Sequence, residues 1–170
     1  MLLLQNEDSK TKDELIREKS DLEFQLFRMQ DNMKSIAKHW KVLGIEQTKE
    51  DHWVVVYRSD KNGVCQIMLH ECTAPFRGDW DFAIQASYED DRTIQIDDIK
   101  GQENKGFGTV CMHYLKKTAQ QQNINFITGN LVKRDWDHID RLIHFYRKHN
   151  FQVEVNSSEQ VGRIKWKPAH

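Results

Sequence analysis

The chain has 170 residues, of which 38% are hydrophobic and 30% are charged, so its length fits one ordinary domain whose core needs no disulfide or metal to hold it. Its 25 basic and 26 acidic side chains give a net charge of −1. That balance excludes the strongly basic field typical of proteins that bind nucleic acid, and no nucleic-acid partner is expected.

The sequence gives little indication of a targeting segment, a membrane span or a disulfide framework. Residues 1–4 are apolar but form too short a run for the hydrophobic region of a signal peptide, and no later stretch has the length that a membrane span requires. The cysteines are odd in number and lack C-x-x-C spacing, which argues against a disulfide framework and a zinc site. We therefore expect a cytoplasmic protein with reduced thiols and no membrane partner.

A long helix is predicted over residues 13–43, which contain neither Gly nor Pro. Ser9 or Thr11 with Glu14 offers a cap, and Gly44 is predicted to end the helix. From Leu22 onward the apolar residues are spaced alternately four and three apart, which is the pattern of a heptad seam, and Lys19 is the polar exception before it. The seam residues are Leu15, Leu22, Leu26, Met29, Met33, Ile36, Trp40 and Leu43.

This seam has two interpretations. It can form a coiled coil that joins two copies of the chain into a homodimer, or it can be one face of a long amphipathic helix folded onto its own domain. The sequence leaves both open. In either case we divide the chain into an N-terminal helix, residues 1–45, and a second unit, residues 46–170.

Two β-hairpins are predicted after the long helix. The first turns at Asn62-Gly63, a dipeptide typical of tight hairpin turns between alternating apolar runs. The second turns at the acidic residues 89–91, and residues 71–79 between the hairpins are predicted to be a loop. The predicted strands are residues 53–58, 64–70, 80–88 and 92–99.

A glycine-containing segment, Gly106-Phe107-Gly108-Thr109, separates the last of these strands from an amphipathic helix. Glycine lets the backbone approach a ligand closely, and the free N–H groups of a first helical turn attract phosphate. The third glycine of a dinucleotide fingerprint and the Gly-Lys-Ser/Thr of a P-loop are both missing. The segment therefore predicts anion binding through main-chain groups, unless it is only a tight turn.

The remaining elements alternate strand and helix. A strand is predicted at residues 124–128, and a helix capped by Asp135 or Asp137 follows and ends at residues 149–150. A closing strand pair at residues 151–155 and 163–166 completes the order. This order predicts a mixed α/β (α+β) fold, with a mostly antiparallel twisted sheet, one parallel crossover and flanking helices.

Two motifs in this order resemble the GNAT N-acetyltransferase family. Residues 104–109, Asn-Lys-Gly-Phe-Gly-Thr before a helix, are similar to the acyl-CoA pyrophosphate loop of that family. Residues 142–151, Leu-Ile-His-Phe-Tyr-Arg-Lys-His-Asn-Phe, are similar to its later junction of helix and strand. The resemblance covers residues 53–167 and implies a GNAT-like sheet.

The resemblance implies that acetyl-CoA is the acyl donor and that the acceptor is a primary amine on a small molecule or a protein. It implies that the strand at residues 92–99 splays from the strand at residues 124–128, with the pantetheine arm in the gap. The phosphates would meet the N–H groups of the glycine segment. The implied cofactor contacts are Ile99, Lys100, Asn104, Lys105, Gly106, Phe107, Gly108, Thr109 and Asn130.

Three positions depart from the pattern of the family. Glu103 stands where the family usually has Arg or Gln, which places a negative charge near the pyrophosphate unless the side chain points to solvent. Ile139 replaces the usual Asn before the motif tyrosine and loses a contact to CoA. Asn150 replaces the Gly of Gly-Phe, a change that the left-handed conformation tolerates.

Direct transfer needs a deprotonated amine, a polarised thioester carbonyl and a thiolate that can be protonated. Tyr146, the motif tyrosine, is the predicted acid for the thiolate, and its alternative role is a packed core tyrosine. Asp97 or Asp98 is the predicted base, directly or through water. Alternation along a strand places these two on opposite faces, so only one of them can face the acceptor. His70 is a third candidate base.

Other interpretations are carried beside the enzyme. His138, His144 and His149 share a helix without i, i+4 spacing, so no metal site is expected. A non-catalytic acyl-CoA-binding or coiled-coil interaction module is the alternative function, and the departures at Glu103 and Ile139 favour it. An RNA-associated protein would rest on scattered lysines. Those lysines are Lys100, Lys105, Lys116 and Lys117.

Overall fold

A computed structural model describes residues 9–169 of the chain. The apolar run at residues 1–4 lies outside the described residues. Three α-helices, one 3₁₀ helix and eight strands follow one another within the described part. They are α1 (Lys12–Ala37), β1 (Lys41–Gln47), β2 (Trp53–Lys61), β3 (Val64–Glu71), β4 (Phe82–Asp90), β5 (Thr93–Gly101), α2 (Phe107–Gln121), β6 (Phe126–Leu131), the 3₁₀ helix (Lys133–His138), α3 (Ile139–Lys148), β7 (Gln152–Asn156) and β8 (Val161–Trp166).

The eight strands form one sheet in the order β1-β2-β3-β4-β5-β6-β8-β7. Every neighbouring pair is antiparallel except β5 and β6, which α2 connects as a parallel crossover. The predicted fold class, a mostly antiparallel sheet flanked by helices with one crossover, is confirmed. The predicted turn at Asn62-Gly63 is also confirmed, because both residues take left-handed φ angles, 53° and 76°.

The two faces of the sheet carry separate apolar cores. On one face, α2 packs against β3, β4 and β6, and its buried residues Phe107, Cys111 and Leu115 join the larger cluster with α3 residues such as Tyr146. On the other face, Ile36 of α1 packs with Val55 and Tyr57 of β2. The strands that α1 contacts most are β1 and β2, at one end of the sheet.

The helix α1 is shorter than predicted. It ends at Ala37, and the expected end at Gly44 is wrong because residues 41–47 pair with β2 as the edge strand β1. Trp40 and Leu43 of the seam therefore leave the helix. The predicted boundary between residues 45 and 46 falls inside β1, and the division into two domains stays a prediction. The capping box of Thr11 and Glu14 is confirmed.

The two halves of α1 differ in their surroundings. Asn32 in the second half is buried and bonds the Ala74 carbonyl and the Phe76 N–H, which fixes the helix to the loop after β3. The large apolar side chains from Leu15 to Phe27 are 52–69% exposed. Among residues 9–169, no helix is both long and apolar enough to cross a bilayer. The exposed residues are Leu15, Ile16, Leu22, Phe24, Leu26 and Phe27.

Candidate functional site

The parallel pair β5 and β6 separates partway along its length. The two strands pair from Thr93 opposite Phe126 to Ile96 opposite Gly129, and each then continues without the other. At the same point β5 carries a bulge, because Gln85 pairs with Asp98 while the next residue of β4 pairs with Ile96. A bulge leaves one residue unpaired and bends the strand. The predicted splay of these strands is present in the structure.

A groove of about 660 Å³ opens beyond the splay, between the end of β5, the start of α2 and one side of α3. This volume lies in the range of small-molecule sites. Aromatic and aliphatic side chains make its floor, and basic side chains stand at its rim. The lining residues that carry the argument are Phe82, Ile99, Phe107, Leu142, Phe145 and, at the rim, Lys100, Arg141 and Lys148.

Main-chain N–H groups at the start of α2 face this groove. Gly106, the N-cap, has a left-handed φ of 75° and provides no side-chain cap. The first intrahelical bond runs from the Val110 N–H to the Gly106 carbonyl. The three preceding N–H groups of the first turn, on residues 107–109, therefore have no intrahelical acceptor and lie at the positive end of the helix dipole. Such a terminus attracts a phosphate.

The charge of Glu103 is neutralised by a residue of α3. Arg141 Nη1 lies 2.6 Å from Glu103 Oε2, and both side chains are more than half exposed. On the same rim, Lys100 Nζ lies 3.1 Å from Asp98 Oδ2. The unfavourable charge expected at Glu103 is thus paired across the mouth of the groove.

Lys105 points away from the groove. Its Nζ lies 3.4 Å from Glu71 Oε2, while His52 Nδ1 lies 2.6 Å from the other carboxylate oxygen of Glu71. The side chain of Glu71 is only 10% exposed, so these two partners offset the cost of burying its charge. Lys105 therefore anchors the loop from behind instead of facing a ligand.

Tyr146 is packed in the core beside the groove without lining it. Its ring is 5% exposed and contacts the rings of Phe145 and Phe151, with centroids 5.6 and 5.3 Å away. Burial raises the pKa of Tyr146, and the carboxylates of Asp135 and Asp98 raise it further. The phenol is therefore protonated at neutral pH. It lies close enough to Asp98, near the point where β5 separates from β6, for that carboxylate to raise its pKa.

The bulge changes the relation between Asp97 and Asp98. Asp98 pairs with Gln85, and Asp97 accepts a hydrogen bond from the hydroxyl of Ser87, two residues along on the same face of β4. Both carboxylates consequently lie on one face, and the expectation that they face opposite sides is wrong. Regular alternation fails where an extra residue is inserted into a strand. Arg134 contacts the Asp97 carbonyl at 3.5 Å.

His70 and His149 are packed among other residues of the protein. His70 is buried, with Nε2 at 2.9 Å from the Ala74 carbonyl and Nδ1 at 3.5 Å from Asp81, so both ring nitrogens face groups of the protein itself. Burial, aided by Lys116 and Lys148, lowers the pKa of His149 to about 4. Within residues 9–169 no group of three or more metal-ligating side chains is present.

The structure brings some of the expected site residues together and separates others. Lys105, Asp97, Asp98, Tyr146 and Asn130 do not line the groove; Asn130 lies on β6 opposite Arg163 of β8. The contributions of Arg141, His144 and Lys148 were missed, although their spacing along one helix could have indicated a shared face. The expected residues that do line the groove are Ile99, Lys100, Asn104, Gly106, Phe107, Gly108 and Thr109.

Solved structures with a similar fold are acyltransferases. A variant of the cAMP-binding acyltransferase from Mycobacterium smegmatis matches with a TM-score of 0.57 and 8% identity, over 83% of this chain and 52% of that chain. An IAA acetyltransferase from Bacillus cereus ATCC 14579 matches with a TM-score of 0.52 and 12% identity, over 68% of this chain and 99% of that chain. A GNAT family acetyltransferase from Elizabethkingia anophelis with acetyl-CoA bound matches with a TM-score of 0.52 and 9% identity, over 68% of this chain and 98% of that chain. The protein therefore has the GNAT acetyltransferase fold.

A comparison of sequences adds a relative. No family model matches the chain. Uncharacterized protein YocC of Bacillus subtilis (strain 168) is 52% identical over 157 residues, which are 92% of this chain and 94% of that protein. The chain belongs to the same protein family as YocC.

Proposed function

We propose that this protein is an N-acetyltransferase that moves an acetyl group from acetyl-CoA directly to a primary amine. The observation that carries the proposal is the separation of β5 from β6 beside an uncapped helix N-terminus, with a groove of about 660 Å³ joining them. An acyl-CoA donor needs both features, because the helix N-terminus can bind its phosphates and the gap between β5 and β6 can admit its pantetheine arm.

The phosphates would bind to the N–H groups of Phe107, Gly108 and Thr109. These groups come from the backbone, so they are held in place before the ligand arrives and cost little ordering on binding. Arg141 lies 2.6 Å from Glu103 and neutralises the charge of that carboxylate next to the loop. The departure at Glu103 therefore does not prevent an anionic donor from binding.

The pantetheine arm would lie along β5 beyond Ile96. From that point the β6 side of β5 has no strand partner, so main-chain groups around residues 98–100 are available to amide groups of the arm. Ile99 lines the groove and packs against the larger apolar core. The edge of β5 thus supplies hydrogen bonds and an apolar contact to the same ligand segment.

In the reaction, the neutral amine attacks the thioester carbonyl carbon, a C–N bond forms, and the C–S bond breaks to release CoA as a thiolate. Asp97 or Asp98 would accept the proton lost by the amine, and both lie on the same face at the bulge. Tyr146 would donate a hydrogen bond to the departing thiolate. Since its raised pKa keeps the phenol protonated, its role is to stabilise developing negative charge.

A non-catalytic acyl-CoA-binding module is the second candidate function. Two observations favour it: Tyr146 is 5% exposed and outside the groove lining, and Asp98 is paired with Lys100 at 3.1 Å. Such a module would bind the donor and release no thiol. Turnover separates the two candidates.

The test uses the intact protein with acetyl-CoA. A ligand at about one hundred times its Kd stabilises the folded state by about 2.7 kcal/mol, which for a chain of this size raises Tm by roughly 5–10 °C. Thiol release with a panel of polyamines, aminoglycosides, peptides and lysine-bearing proteins then identifies an acceptor. A thermal shift without thiol release for any amine supports the non-catalytic candidate, and no shift at all refutes both.

A pair of glycine variants controls this test. Gly106→Asp places a carboxylate at the N-cap of α2, where it competes with phosphate for the free N–H groups. Gly63→Asp introduces the same residue at nearly the same φ, +76° against +75°, in a hairpin turn where a Cβ meets nothing within 4 Å. Only Gly106→Asp should abolish the shift caused by acetyl-CoA. Gly108 is less suitable, because a Cβ there would lie 3.1 Å from Phe145.

We also propose that two copies of the chain associate through the first half of α1. Leu15, Leu22 and Leu26 continue the apolar stripe whose second half packs on the sheet, and they are 52–65% exposed. Ile16, Phe24 and Phe27 are also exposed but lie off this stripe. A second copy of the same helix matches this stripe in length and spacing.

Sedimentation tests the dimer. Leu22→Asp with Leu26→Asp places charge in the apolar contact and should give monomers without lowering Tm of the sheet. Ser20→Asp, on another side of the same helix, is the control and should remain dimeric. A monomeric wild-type protein would contradict the proposed association.

A further inference from the structure

One side of α3 presents basic residues to the groove. His138, at the start of the helix, is followed by Arg141, His144 and Lys148 at intervals of three or four residues, and all four line the groove and are exposed. These intervals place the side chains on one face of a helix. We call these four residues the α3 basic stripe. The proposed acyl transfer assigns a role to none of them except Arg141.

The groove has little negative charge to offset this stripe. Among its described lining residues, Glu103 is the one carboxylate, against the cations of Lys100, Arg141 and Lys148 and two histidines. Lys100 is already paired with Asp98, outside the lining. Arg141 is paired with Glu103, so Lys148, on the same face of α3, is the cation of this stripe that has no carboxylate partner among the described residues. A site with this charge fits a ligand that brings more than one phosphate.

We propose that the α3 basic stripe recognises the phosphate monoester on the ribose of the CoA nucleotide. This inference rests on the proposed function. The N–H groups at the start of α2 can satisfy the pyrophosphate, and the third phosphate of CoA then needs cations elsewhere in the groove. Arg141 and Lys148 meet this need because a guanidinium binds two phosphate oxygens at once and an ammonium adds a mobile charge.

Before the ligand binds, the Glu103 carboxylate occupies the position on Arg141 that this phosphate would take. Its carboxylate holds Arg141 at 2.6 Å, and both side chains are more than half exposed, so the pair is screened by water and easily broken. A phosphate carries more charge than a carboxylate and accepts more hydrogen bonds, so it replaces Glu103 on Arg141. Glu103 therefore orients the guanidinium and lowers the affinity for CoA at the same time.

The experiment compares binding of CoA and 3′-dephospho-CoA to the intact protein by calorimetry. The wild-type protein should bind CoA about tenfold to a hundredfold more tightly, the value of one or two charge-assisted hydrogen bonds. Arg141→Gln should remove most of this preference by weakening CoA and leave 3′-dephospho-CoA unchanged. Glu103→Gln should strengthen CoA binding, since Arg141 is then free.

Arg147→Gln is the matched control, because Arg147 is an exposed arginine of the same helix that does not line the groove. It should keep the wild-type preference, and the melting temperatures of all three variants show whether they are folded. Equal affinity of the wild-type protein for the two ligands overturns this inference alone. Equal weakening of both ligands by Arg141→Gln assigns Arg141 to the pyrophosphate and also overturns it. Failure to bind either ligand overturns the proposed function as well.

Discussion

Replacing Tyr146 by Phe separates the packing role of this residue from its chemical role. The ring keeps its contacts with Phe145 and Phe151, at 5.6 and 5.3 Å between centroids, so the core does not lose volume. Only the hydroxyl is lost, a change worth about 0.5–1.5 kcal/mol if it made one ordinary hydrogen bond. For a chain of this size Tm should fall by no more than roughly 6 °C.

The rate should respond much more strongly than the stability. If the phenol stabilises the departing thiolate, Tyr146→Phe slows acetyl transfer by roughly 10²–10⁴-fold, the usual range for an acid in a transition state. Acetyl-CoA affinity should stay nearly constant, because the interaction is made chiefly in the transition state. Single-turnover measurements with an accepted amine are needed, since slow product release would mask the loss in steady state.

Tyr114→Phe is the matched control for this experiment. Tyr114 is 5% exposed, as is Tyr146, but its hydroxyl donates to Glu46 of β1 at 2.7 Å, and Tyr114 does not line the groove. Its loss should lower Tm and leave the transfer rate unchanged. A wild-type single-turnover rate in Tyr146→Phe would refute the assigned role and leave Tyr146 as a core residue.

Three further predictions concern packing and pH. Gly44→Ala should lower Tm, because the new Cβ would lie 2.2 Å from the Tyr114 hydroxyl. Adding Tyr114→Phe should partly restore Tm. If the two substitutions change Tm additively in thermal melts, residues 44 and 114 are not coupled in this way. The pKa of His149 is lowered from 6.5 to about 4, so its stabilising contribution is complete above pH 6.5 and lost as pH falls toward 4. Urea titrations should show a smaller acid loss in His149→Gln than in wild type. Burial and Glu46 raise the pKa of Tyr114 from 10.0 to about 12, so stability should fall as pH rises through this window, and a flat urea midpoint there would be inconsistent with a buried phenol.

Local signals in the sequence predicted the elements that depend on a few neighbouring residues. The Asn62-Gly63 turn requires two left-handed residues in succession, and few other dipeptides provide them. The loop before α2 requires a left-handed residue at Gly106, which glycine adopts without strain. Both features follow from backbone conformations that short motifs specify.

Two features that depend on distant pairing were not predicted. Residues 41–43 continue the heptad spacing of α1, yet they become part of β1 because an edge position next to β2 satisfies their backbone groups. The bulge at Asp97 arises from the register between β4 and β5, which no local pattern encodes. Regular alternation along the strand therefore gave the wrong faces for Asp97 and Asp98.

The candidate site was predictable where it consists of main chain and unpredictable where it consists of side chains. Gly106 and Gly108 were identified from their spacing ahead of a helix. Arg141 and Lys148 were not, because charged residues on an amphipathic helix usually face solvent, and only the docking of α3 beside α2 turns them toward a groove. Asn130 was named as a cofactor contact from the resemblance to the family, but β6 continues through it to pair with β8.

The reliance of the groove on backbone groups bears on how such proteins diverge. Two features make the groove: β5 separates from β6, and α2 begins without a side-chain cap. Both depend on backbone conformation far more than on which side chains are present. Substitutions can accumulate over most of the surface provided that the bulge in β5 and the left-handed residue at Gly106 are retained. The solved acyltransferases matched above share this fold at 8–12% identity, which fits that expectation.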